Sequence, residues 1–299
     1  MKQLTYAEIL QQLKAAGVCE GDTLLVHSAL TPIGYVEGGA PTVAQALLDA
    51  VGPEGTLVAP TFCFVHEIEQ PPIIDPRNDK SEMGAISEAI RKLPNAKRSI
   101  AFRHSFCAIG KHAETITNVD PYYSVFDMDS SFGKLLGLNA KVLLLGVPWD
   151  NSTSHHFAEY LLQVKDRHTL EKEAYLRNED GSLTPIVLTD YQPRPSATGE
   201  YYSFVHDFNR TGRMLEQAGK VKIGAVGNAV TRLHAMRDLI ELFINNYSVS
   251  YNMFAVDNIT NTPTVLPDGV IVTKEYLDGA NRPSTAFWSC VSADAIFKK

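Results

Sequence analysis

A hydroxyl, an imidazole and a carboxylate recur at every third residue in one short stretch of the chain: Thr153, His156 and Glu159. On an α-helix this spacing places the three side chains in a row on one face. A neutral imidazole oriented by a carboxylate can accept a proton at neutral pH, so the row predicts a general base. His155 lies four residues before Glu159 and could form the same pair, so spacing alone leaves both histidines as candidates.

The elements around this row must hold it at a sheet edge. Residues 141–147 are an apolar run that predicts a buried strand, and residues 153–165 predict the helix that follows. Strand-to-helix junctions of this kind are where open α/β sheets bind ligands. The alternative is an ordinary helix start, in which Ser152 or Thr153 caps the helix and the polar residues of the first turn are only solvated.

Two further segments have residue types that suit a ligand. Residues 27–40 are a glycine-rich connection to a predicted helix, whose first N–H groups suit phosphates or amides. No Gly-Lys-Ser/Thr follows, so the segment is not a Walker loop. Arg103, His104, Ser105 and Phe106 combine groups that can hold a phosphate and stack on a purine. The alternatives are a plain connection for the first segment and a solvated strand end for the second.

Helices and strands alternate along the chain, which predicts an α/β protein. A strand at 23–27, a helix at 42–51 and a strand at 56–60 predict one strand–helix–strand unit of a parallel or mixed sheet. A hairpin is predicted at residues 178–181, and proline-rich residues 64–82 predict a long surface loop beside a site. Residues 224–229 predict a tight packing turn that opens a helix over 228–244. Other helices are predicted at 5–16, 84–92, 131–137 and 205–218, and another strand at 220–226.

Composition excludes several classes of protein. The 299 residues carry a formal net charge of −7 and no basic cluster, which argues against nucleic acid as a partner. Neither a signal peptide nor a membrane-spanning apolar run is recognisable, so we expect a cytoplasmic protein with no membrane partner. Cys19, Cys63, Cys107 and Cys290 are scattered, which predicts reduced thiols and neither disulfides nor a zinc site.

Taken in order, these segments resemble the aminoglycoside 3-N-acetyltransferase family, coenzyme-A-dependent enzymes that acylate an amine. The resemblance extends from about residue 5 to about residue 245. The family more often has a second serine where Ala29 stands and a proline where Ser105 stands, which leaves the acyl donor and the acceptor open. The matching residues are His27-Ser28-Ala29-Leu30, Ile33-Gly34, Gly38-Gly39-Ala40, residues 55–61, Arg103-His104-Ser105-Phe106, Gly110, residues 143–147, and the Thr153, His156 and Glu159 row.

The resemblance implies a fold and a reaction. The fold is a three-layer α/β sandwich with a mixed central sheet. The chain has no internal repeat, low-complexity tract or clean linker, which by itself predicts a single compact domain over residues 1–299 with an appended lobe. The reaction is direct transfer of an acetyl or other short acyl group from coenzyme A to an amine of an aminoglycoside or amino sugar. Acetyl-coenzyme A is the implied co-substrate and no metal is expected. The acceptor amine and the formation of a homodimer stay open.

Residue roles also follow from the resemblance. His156 is the implied base, Glu159 orients it, and Thr153 positions the thioester or stabilises the oxyanion. Residues 64–82 and the last 50 residues are expected to shape the acceptor pocket. The implied coenzyme A contacts are His27, Ser28, Ala29, Leu30, Ile33, Gly34, Val36, Gly39, Arg103, Ser105 and Phe106.

Three other functions remain to be weighed. A transferase with a covalent intermediate would use Cys63 or Cys107 as the nucleophile. A metal-dependent amidohydrolase would bind zinc through His155, His156 and a carboxylate, although no H-E-x-x-H spacing is present. A non-catalytic acyl-coenzyme-A binding protein would need the Gly38-Gly39 loop but not the pair of His156 and Glu159.

Overall fold

The computed structural model describes residues 3–67, 71–123, 125–165, 167–194, 204–247, 253–257, 264–265 and 271–272. The helices, in chain order, are α1 (Tyr6–Ala15), α2 (Ala40–Val51), α3 (Ala85–Arg91), α4 (Ala113–Thr117), α5 (Ser131–Gly137), α6 (Ser154–Leu161), α7 (Phe208–Gln217) and α8 (Met236–Asn246). The strands are β1 (Thr23–Ser28), β2 (Thr56–Pro60), β3 (Ile73–Ile74), β4 (Lys97–Arg98), β5 (Phe106–Gly110), β6 (Lys141–Leu145), β7 (Arg167–Arg177), β8 (Leu183–Pro193), β9 (Phe204–His206), β10 (Lys222–Val226), β11 (Ala229–Ala235), β12 (Ala255–Asp257), β13 (Thr264–Val265) and β14 (Ile271–Val272).

A seven-stranded mixed sheet in the order β10-β11-β6-β1-β2-β5-β4 forms the centre of the fold. β6, β1 and β2 are parallel neighbours, whereas β5 runs antiparallel to β2 and β11 antiparallel to β6. The predicted strand–helix–strand unit is confirmed, because α2 connects two adjacent parallel strands. The three parallel strands end at Ser28, Pro60 and Leu145, and β5 begins beside Pro60. The segments that follow or precede these ends therefore meet at one sheet edge, the carboxyl edge of the parallel strands.

The parallel strands are buried on both faces because alternate side chains enter two separate cores. On β1, Leu24 and Val26 pack with residues of α1, α2 and α3, whereas Leu25 packs with residues of α4, α5, α6 and α8. All three leucine and valine side chains are fully buried. Strands covered on both faces have continuous apolar runs, as residues 141–145 do. Helices on both faces of a mixed sheet give the predicted three-layer α/β fold, which is confirmed.

The predicted hairpin after α6 is confirmed and forms the appended lobe. β7 and β8 pair antiparallel over their whole length, and β3 adds to β7 as a third strand. A small core of Ile74, Phe102, Ala174 and Leu188 fills the lobe. The expectation of a plain loop over residues 64–82 is only partly correct, since that segment contains the short 3₁₀ helix Phe64–Glu67 and β3.

The prediction of one helix over residues 228–244 is wrong. Residues 229–235 are β11, which follows β10 through a two-residue turn and pairs with β6, and only then does α8 begin. Gly227 has φ +59°, and a Cβ there would lie 2.2 Å from the carbonyl oxygen of Ile33, so the turn requires glycine. The Gly227-Asn228 pair after an apolar run is a hairpin signal that the prediction of a helix overlooked.

Two predictions depend on the end of the chain, of which the structure describes little. Most of the last 50 residues lie outside the described residues, so the single domain over 1–299 and the role of that segment in the acceptor pocket stay predictions.

Among the described helices, none has the length and apolar character required to cross a bilayer.

Candidate active site

The Thr153, His156 and Glu159 row lies where the sequence predicts it, at the start of the helix that follows β6. The chain turns at Gly146, passes through the 3₁₀ turn Trp149–Asn151 and enters α6 at Ser154. Thr153 is the residue before the helix, and its side chain makes no capping hydrogen bond. Its backbone carbonyl accepts from the N–H of His156 at 3.0 Å. The capping alternative therefore leaves the Thr153 hydroxyl unexplained.

His156 and Glu159 form the hydrogen-bonded pair expected of an oriented base. The distance from His156 Nδ1 to Glu159 Oε2 is 2.5 Å, and Glu159 Oε2 also lies 2.7 Å from Arg167 Nε at the start of β7. Glu159 is 1% exposed and Arg167 is 7% exposed. Because only a protonated Nδ1 can donate to the carboxylate, the neutral His156 ring carries its lone pair on Nε2.

The environment keeps His156 neutral at ordinary pH. Burial lowers the pKa of His156 well below its usual value, and the positive charges of Arg167 and Arg103 act in the same direction. Burial raises the pKa of Glu159, and the adjacent Arg167 opposes that rise. A neutral imidazole beside a carboxylate that is neutralised by a guanidinium can accept a proton from a substrate.

The two histidines that spacing left equivalent have different surroundings. His155 is fully buried, its Nδ1 lies 3.1 Å from the carbonyl oxygen of Ser152, and its ring stacks on Phe208 at a centroid distance of 4.5 Å. The side chain of His156, by contrast, is 18% exposed. His155 is therefore a core residue, and His156 is the histidine that a substrate can reach.

Aromatic rings enclose His156. Its ring centroid lies 4.9 Å from Phe208, 5.8 Å from His206, 5.9 Å from Phe126 and 6.5 Å from His104. Burial lowers the pKa of His206 to about 4 and that of His104 well below its usual value, so both rings are neutral. The walls of the site are thus uncharged on this side, and a poorly polar surrounding strengthens the interaction of His156 with Glu159.

Sequence reasoning missed Arg167, His206, Phe126 and Phe208. Arg167 begins a β-strand and the other three lie in connections or at element ends, far from residues 153–159 along the chain. No local spacing links any of them to His156, because they reach it only when the lobe, the connection between α4 and α5, and the segment from β9 to α7 pack around α6. The one signal in the sequence was a histidine, His206, directly before the residue that caps a helix. Asp207 caps α7, because its Oδ1 accepts a hydrogen bond from Arg210 N.

The glycine-rich segment after β1 lies at the same sheet edge as His156. Ala29 N–H donates to the carbonyl of Leu145 at the end of β6, at 3.0 Å. Gly34, Gly38 and Gly39 all have positive φ, and Gly39 is the residue before α2. Ser28, Ala29, Leu30, Gly34 and Gly39 are partly exposed, whereas His27, Ile33 and Val36 are buried. Apart from Leu30, the accessible residues of the predicted coenzyme A segment are therefore small ones.

The three predicted cofactor residues before and within β5 are engaged inside the protein. Arg103 Nη2 donates to Asp190 Oδ2 on β8 at 3.1 Å. The Ser105 hydroxyl donates to the carbonyl of Thr61 at 2.8 Å and accepts from Arg98 Nε at 3.1 Å. Phe106 is fully buried and packs edge-on against Phe132. These side chains support the carboxyl edge of the sheet, and the loop 28–39 is the part that faces outward.

Neither candidate nucleophilic cysteine is activated. Burial raises the pKa of the Cys63 thiol to about 11, with Asp79 and Glu82 adding to the effect. Burial raises the pKa of the Cys107 thiol to about 12. A nucleophilic cysteine needs a lowered pKa, so these surroundings argue against a covalent acyl-enzyme.

Comparisons with known proteins identify the family of the chain. The model of the aminoglycoside 3-N-acetyltransferase family matches residues 25–247. The SPbeta prophage-derived aminoglycoside N(3')-acetyltransferase-like protein YokD of Bacillus subtilis (strain 168) is 33% identical over 269 residues, 82% of this chain and 94% of that protein. Aminoglycoside N(3)-acetyltransferase VII of Streptomyces paromomycinus is 30% identical over 259 residues, 80% of this chain and 89% of that protein.

A solved structure extends the likeness to three dimensions. The crystal structure of the aminoglycoside acetyltransferase AAC(3)-Xa matches with a TM-score of 0.70 and 30% identity, and the match covers 81% of this chain and 92% of that chain. The α/β sandwich and these matches together define the class of protein, an N-acetyltransferase enzyme. The chain belongs to the aminoglycoside 3-N-acetyltransferase family, so the resemblance seen in the sequence is confirmed.

Proposed function

We propose that this chain transfers an acetyl group from acetyl-coenzyme A directly to an amine of an aminoglycoside, with His156 as the general base. The observation that carries the proposal is the pair of His156 and Glu159, which leaves a neutral, partly exposed Nε2 at the sheet edge. An ammonium nitrogen has no lone pair, so the acceptor amine reacts as the free base, after its ammonium form has released one proton to water. The nitrogen of that free amine becomes positive as it bonds to carbon, so a base must then remove a second proton. The position of Nε2 supports that role.

The proton and charge balance of the proposed step is complete within these residues. The amine nitrogen bonds to the thioester carbonyl carbon while its proton passes to His156 Nε2. The new imidazolium lies beside Glu159, whose carboxylate stabilises the positive charge, as in hydrolase triads. When the tetrahedral intermediate collapses, the carbon–sulfur bond breaks and the coenzyme A thiolate takes up the proton. Thr153, one turn before His156, supplies the proposed hydroxyl for the thioester or its oxyanion.

The proposed cofactor cradle is the segment from Ser28 to Gly39. Small, partly exposed residues let a pantetheine chain approach the backbone, and the N-terminus of the 12-residue helix α2 favours negative charge. Arg103, Ser105 and Phe106 would support the cradle indirectly, because their side chains are already engaged with other side chains and backbone groups of the protein. His27, Ile33 and Val36 would hold the segment from below, because all three are buried.

Names of relatives support an aminoglycoside as the acceptor. Several curated relatives are aminoglycoside N(3)-acetyltransferases, among them enzyme III of Pseudomonas aeruginosa, at 28% identity over 79% of this chain. A histidine-to-alanine variant of AAC(3)-IVa, 29% identical with a TM-score of 0.65, has been solved in complex with a gentamicin. Aminoglycosides are polycations, and the formal charge of −7 on this chain suits a cationic substrate.

The function is tested by incubating the protein with acetyl-coenzyme A and a panel of aminoglycosides and amino sugars. Free thiol should appear only when an acceptor is present, and mass spectrometry should find one acetyl group on the acceptor. Thiol release without acetylated amine would indicate hydrolysis of the thioester. Binding of acetyl-coenzyme A with no turnover on any acceptor would instead favour a binding protein.

Gly39→Val is expected to weaken coenzyme A binding at least about tenfold, about 1.4 kcal/mol or more. A Cβ at Gly39 meets no protein atom within 4 Å, so the added side chain would occupy the space proposed for the ligand. Calorimetric titration with coenzyme A measures the effect.

Gly181→Val is the matched control for that experiment. Gly181 also has positive φ and open space around a Cβ, but it lies in the β7–β8 turn. Both variants therefore place a β-branched side chain at a positive φ, and only Gly39→Val should change the affinity. Equal affinity in Gly39→Val and the parent protein would show that the loop is only a connection.

A further inference from the structure

A thiol, an imidazole and a carboxylate converge outside the site described above. Cys63 and His66 lie in the segment that follows β2, and Asp79 lies in the segment between β3 and α3. One potential ligand atom from each residue lies within 4.8 Å of the other two. Cys63 and His66 are buried and Asp79 is partly buried, so these three residues, the Cys–His–Asp cluster, are largely shielded from solvent.

The His66 ring faces an acceptor at each of its nitrogens. Nδ1 lies 2.8 Å from the carbonyl oxygen of Phe102, and Nε2 lies 3.0 Å from Asp79 Oδ2. A neutral imidazole has one N–H, and the carbonyl of Phe102 requires it at Nδ1. The lone pair on Nε2 then points toward a carboxylate oxygen. Such an approach is repulsive unless Nε2 carries a second proton or both atoms coordinate one cation beside them.

The donor types decide in favour of a cation. Thiolate, imidazole and carboxylate together form the ligand set of zinc-class ions. A histidine that ligates through Nε2 usually donates Nδ1–H to a backbone carbonyl, as His66 does to Phe102. Asp79 Oδ2 is likewise held in place, because it accepts from Asp75 N at 2.8 Å. A second proton on His66 would satisfy the imidazole and the carboxylate, but it gives the neighbouring Cys63 no role.

We propose that Cys63, His66 and Asp79 bind one divalent cation of the zinc class, with a fourth position open to water. This site departs from the expectation of no metal and of cysteines without a zinc site. Its ligands do not include His155 or His156, so it differs from the hydrolase site considered for the sequence. A bound cation would also remove the proton from Cys63, whose pKa is otherwise raised to about 11 by burial.

The cation would hold together three segments beside the active site. Cys63 and His66 follow β2, Asp79 precedes α3, and His66 fixes the carbonyl of Phe102 before β5. Phe62, adjacent to Cys63, packs edge-on against His104 at 4.7 Å, and His104 lies next to His156. The role inferred for the cation is therefore structural, since it orders the wall of the site and takes no part in proton transfer.

Cobalt binding to the tag-free protein tests the proposal without relying on enzyme activity. After treatment with chelator and removal of the chelator, titration with Co²⁺ should produce a thiolate-to-cobalt charge-transfer band that saturates at about one equivalent per chain. Zinc should displace the cobalt and abolish the band. A parent protein that develops no such band would overturn the proposal and leave the doubly protonated imidazole as the explanation.

Two variants and a control assign the ligands. Cys63→Ser should lose the charge-transfer band, and Asp79→Asn should raise the dissociation constant for Co²⁺ at least about tenfold. Cys107→Ser is the matched control, because Cys107 is a buried thiol on β5 that is not part of the Cys–His–Asp cluster, and it should keep the band. A band that persists in Cys63→Ser, or disappears in Cys107→Ser, would contradict the assignment. Circular dichroism of each variant establishes that it is folded before titration.

Discussion

His156→Ala is expected to lower kcat by about 10² to 10⁴ while coenzyme A still binds. The alanine removes the only imidazole that is both partly exposed and hydrogen-bonded to Glu159 among the residues the structure describes. Coenzyme A affinity should persist because the proposed cradle lies on residues 28–39, on a different connection. Steady-state thiol release gives kcat, and calorimetric titration gives the affinity.

His155→Ala is the comparison that makes this result specific. His155 is a fully buried core residue, so its loss should reduce thermal stability by leaving a cavity, at a cost of about 2 to 5 kcal/mol. The rate per folded molecule should change little. Equal rate losses in the two variants, or a larger loss in His155→Ala, would contradict the assignment of His156 as the base.

Glu159→Gln is expected to lower kcat by about 10² to 10⁴, and stability by about 3 to 5 kcal/mol. The amide has no charge to stabilise an imidazolium, and its NH₂ group can donate to Nδ1 and so select the tautomer with hydrogen on Nε2. Arg167 would also lose the carboxylate that lies 2.7 Å from its Nε. Thiol release and chemical denaturation measure the two effects separately.

A pH profile distinguishes a positioning role for Glu159 from a purely structural one. In the parent protein, burial keeps the pKa of His156 below 6.5, so the acidic limb of the kcat profile should lie below pH 6.5. The carboxylate favours the imidazolium and therefore raises that pKa. Its removal should move the limb to still lower pH. A lowered plateau with an unmoved limb would mean that Glu159 only maintains the fold.

Glu88→Gln is the matched control for stability. Glu88 pairs with Arg91 on α3 through two contacts of 2.8 Å, and hydrogen bonding from Arg91 lowers its pKa to about 2. The variant should lose stability through the same kind of broken ion pair. Because α3 packs on the opposite face of the sheet from α6, kcat should remain unchanged.

The central sheet could be predicted because its signal is local. The apolar runs 141–147 and 56–60 are short and rich in strand-forming residues, which is typical of buried strands, and the observed strands cover residues 141–145 and 56–60. The error at residues 228–244 has a physical cause as well. Ala229, Thr231 and Leu233 are buried on β11, but this period of two is short and joins directly to the helical pattern of α8. The partner strand β6, distant in sequence, decides the outcome.

The residues of the candidate active site differ in the same respect, since only some of them could be predicted from local spacing. His156 and Glu159 could be predicted because a three-residue separation on one helix brings side chains together whatever the rest of the fold does. Arg167 and His206 could not, since their approach depends on how β7, β9 and α7 pack. The hydrogen bonds of Ser105 inside the protein could not be predicted either, because its partners Thr61, just after β2, and Arg98, on β4, approach it only in the folded sheet.

The position of Arg167 links the chemistry to the way substrate range can evolve. Arg167 is both the first residue of the lobe's hairpin and the neighbour of Glu159, so the start of the hairpin contacts the pair proposed to transfer the proton. The tip at residues 178–182 is mostly exposed and distant from that contact. Under selection for new acceptors, we therefore expect the sequence near Arg167 to stay constant. Substitutions, insertions and deletions should accumulate toward residues 178–182. Two libraries, one randomised near Arg167 and one at residues 178–182, test this expectation. The first should contain the smaller fraction of active clones.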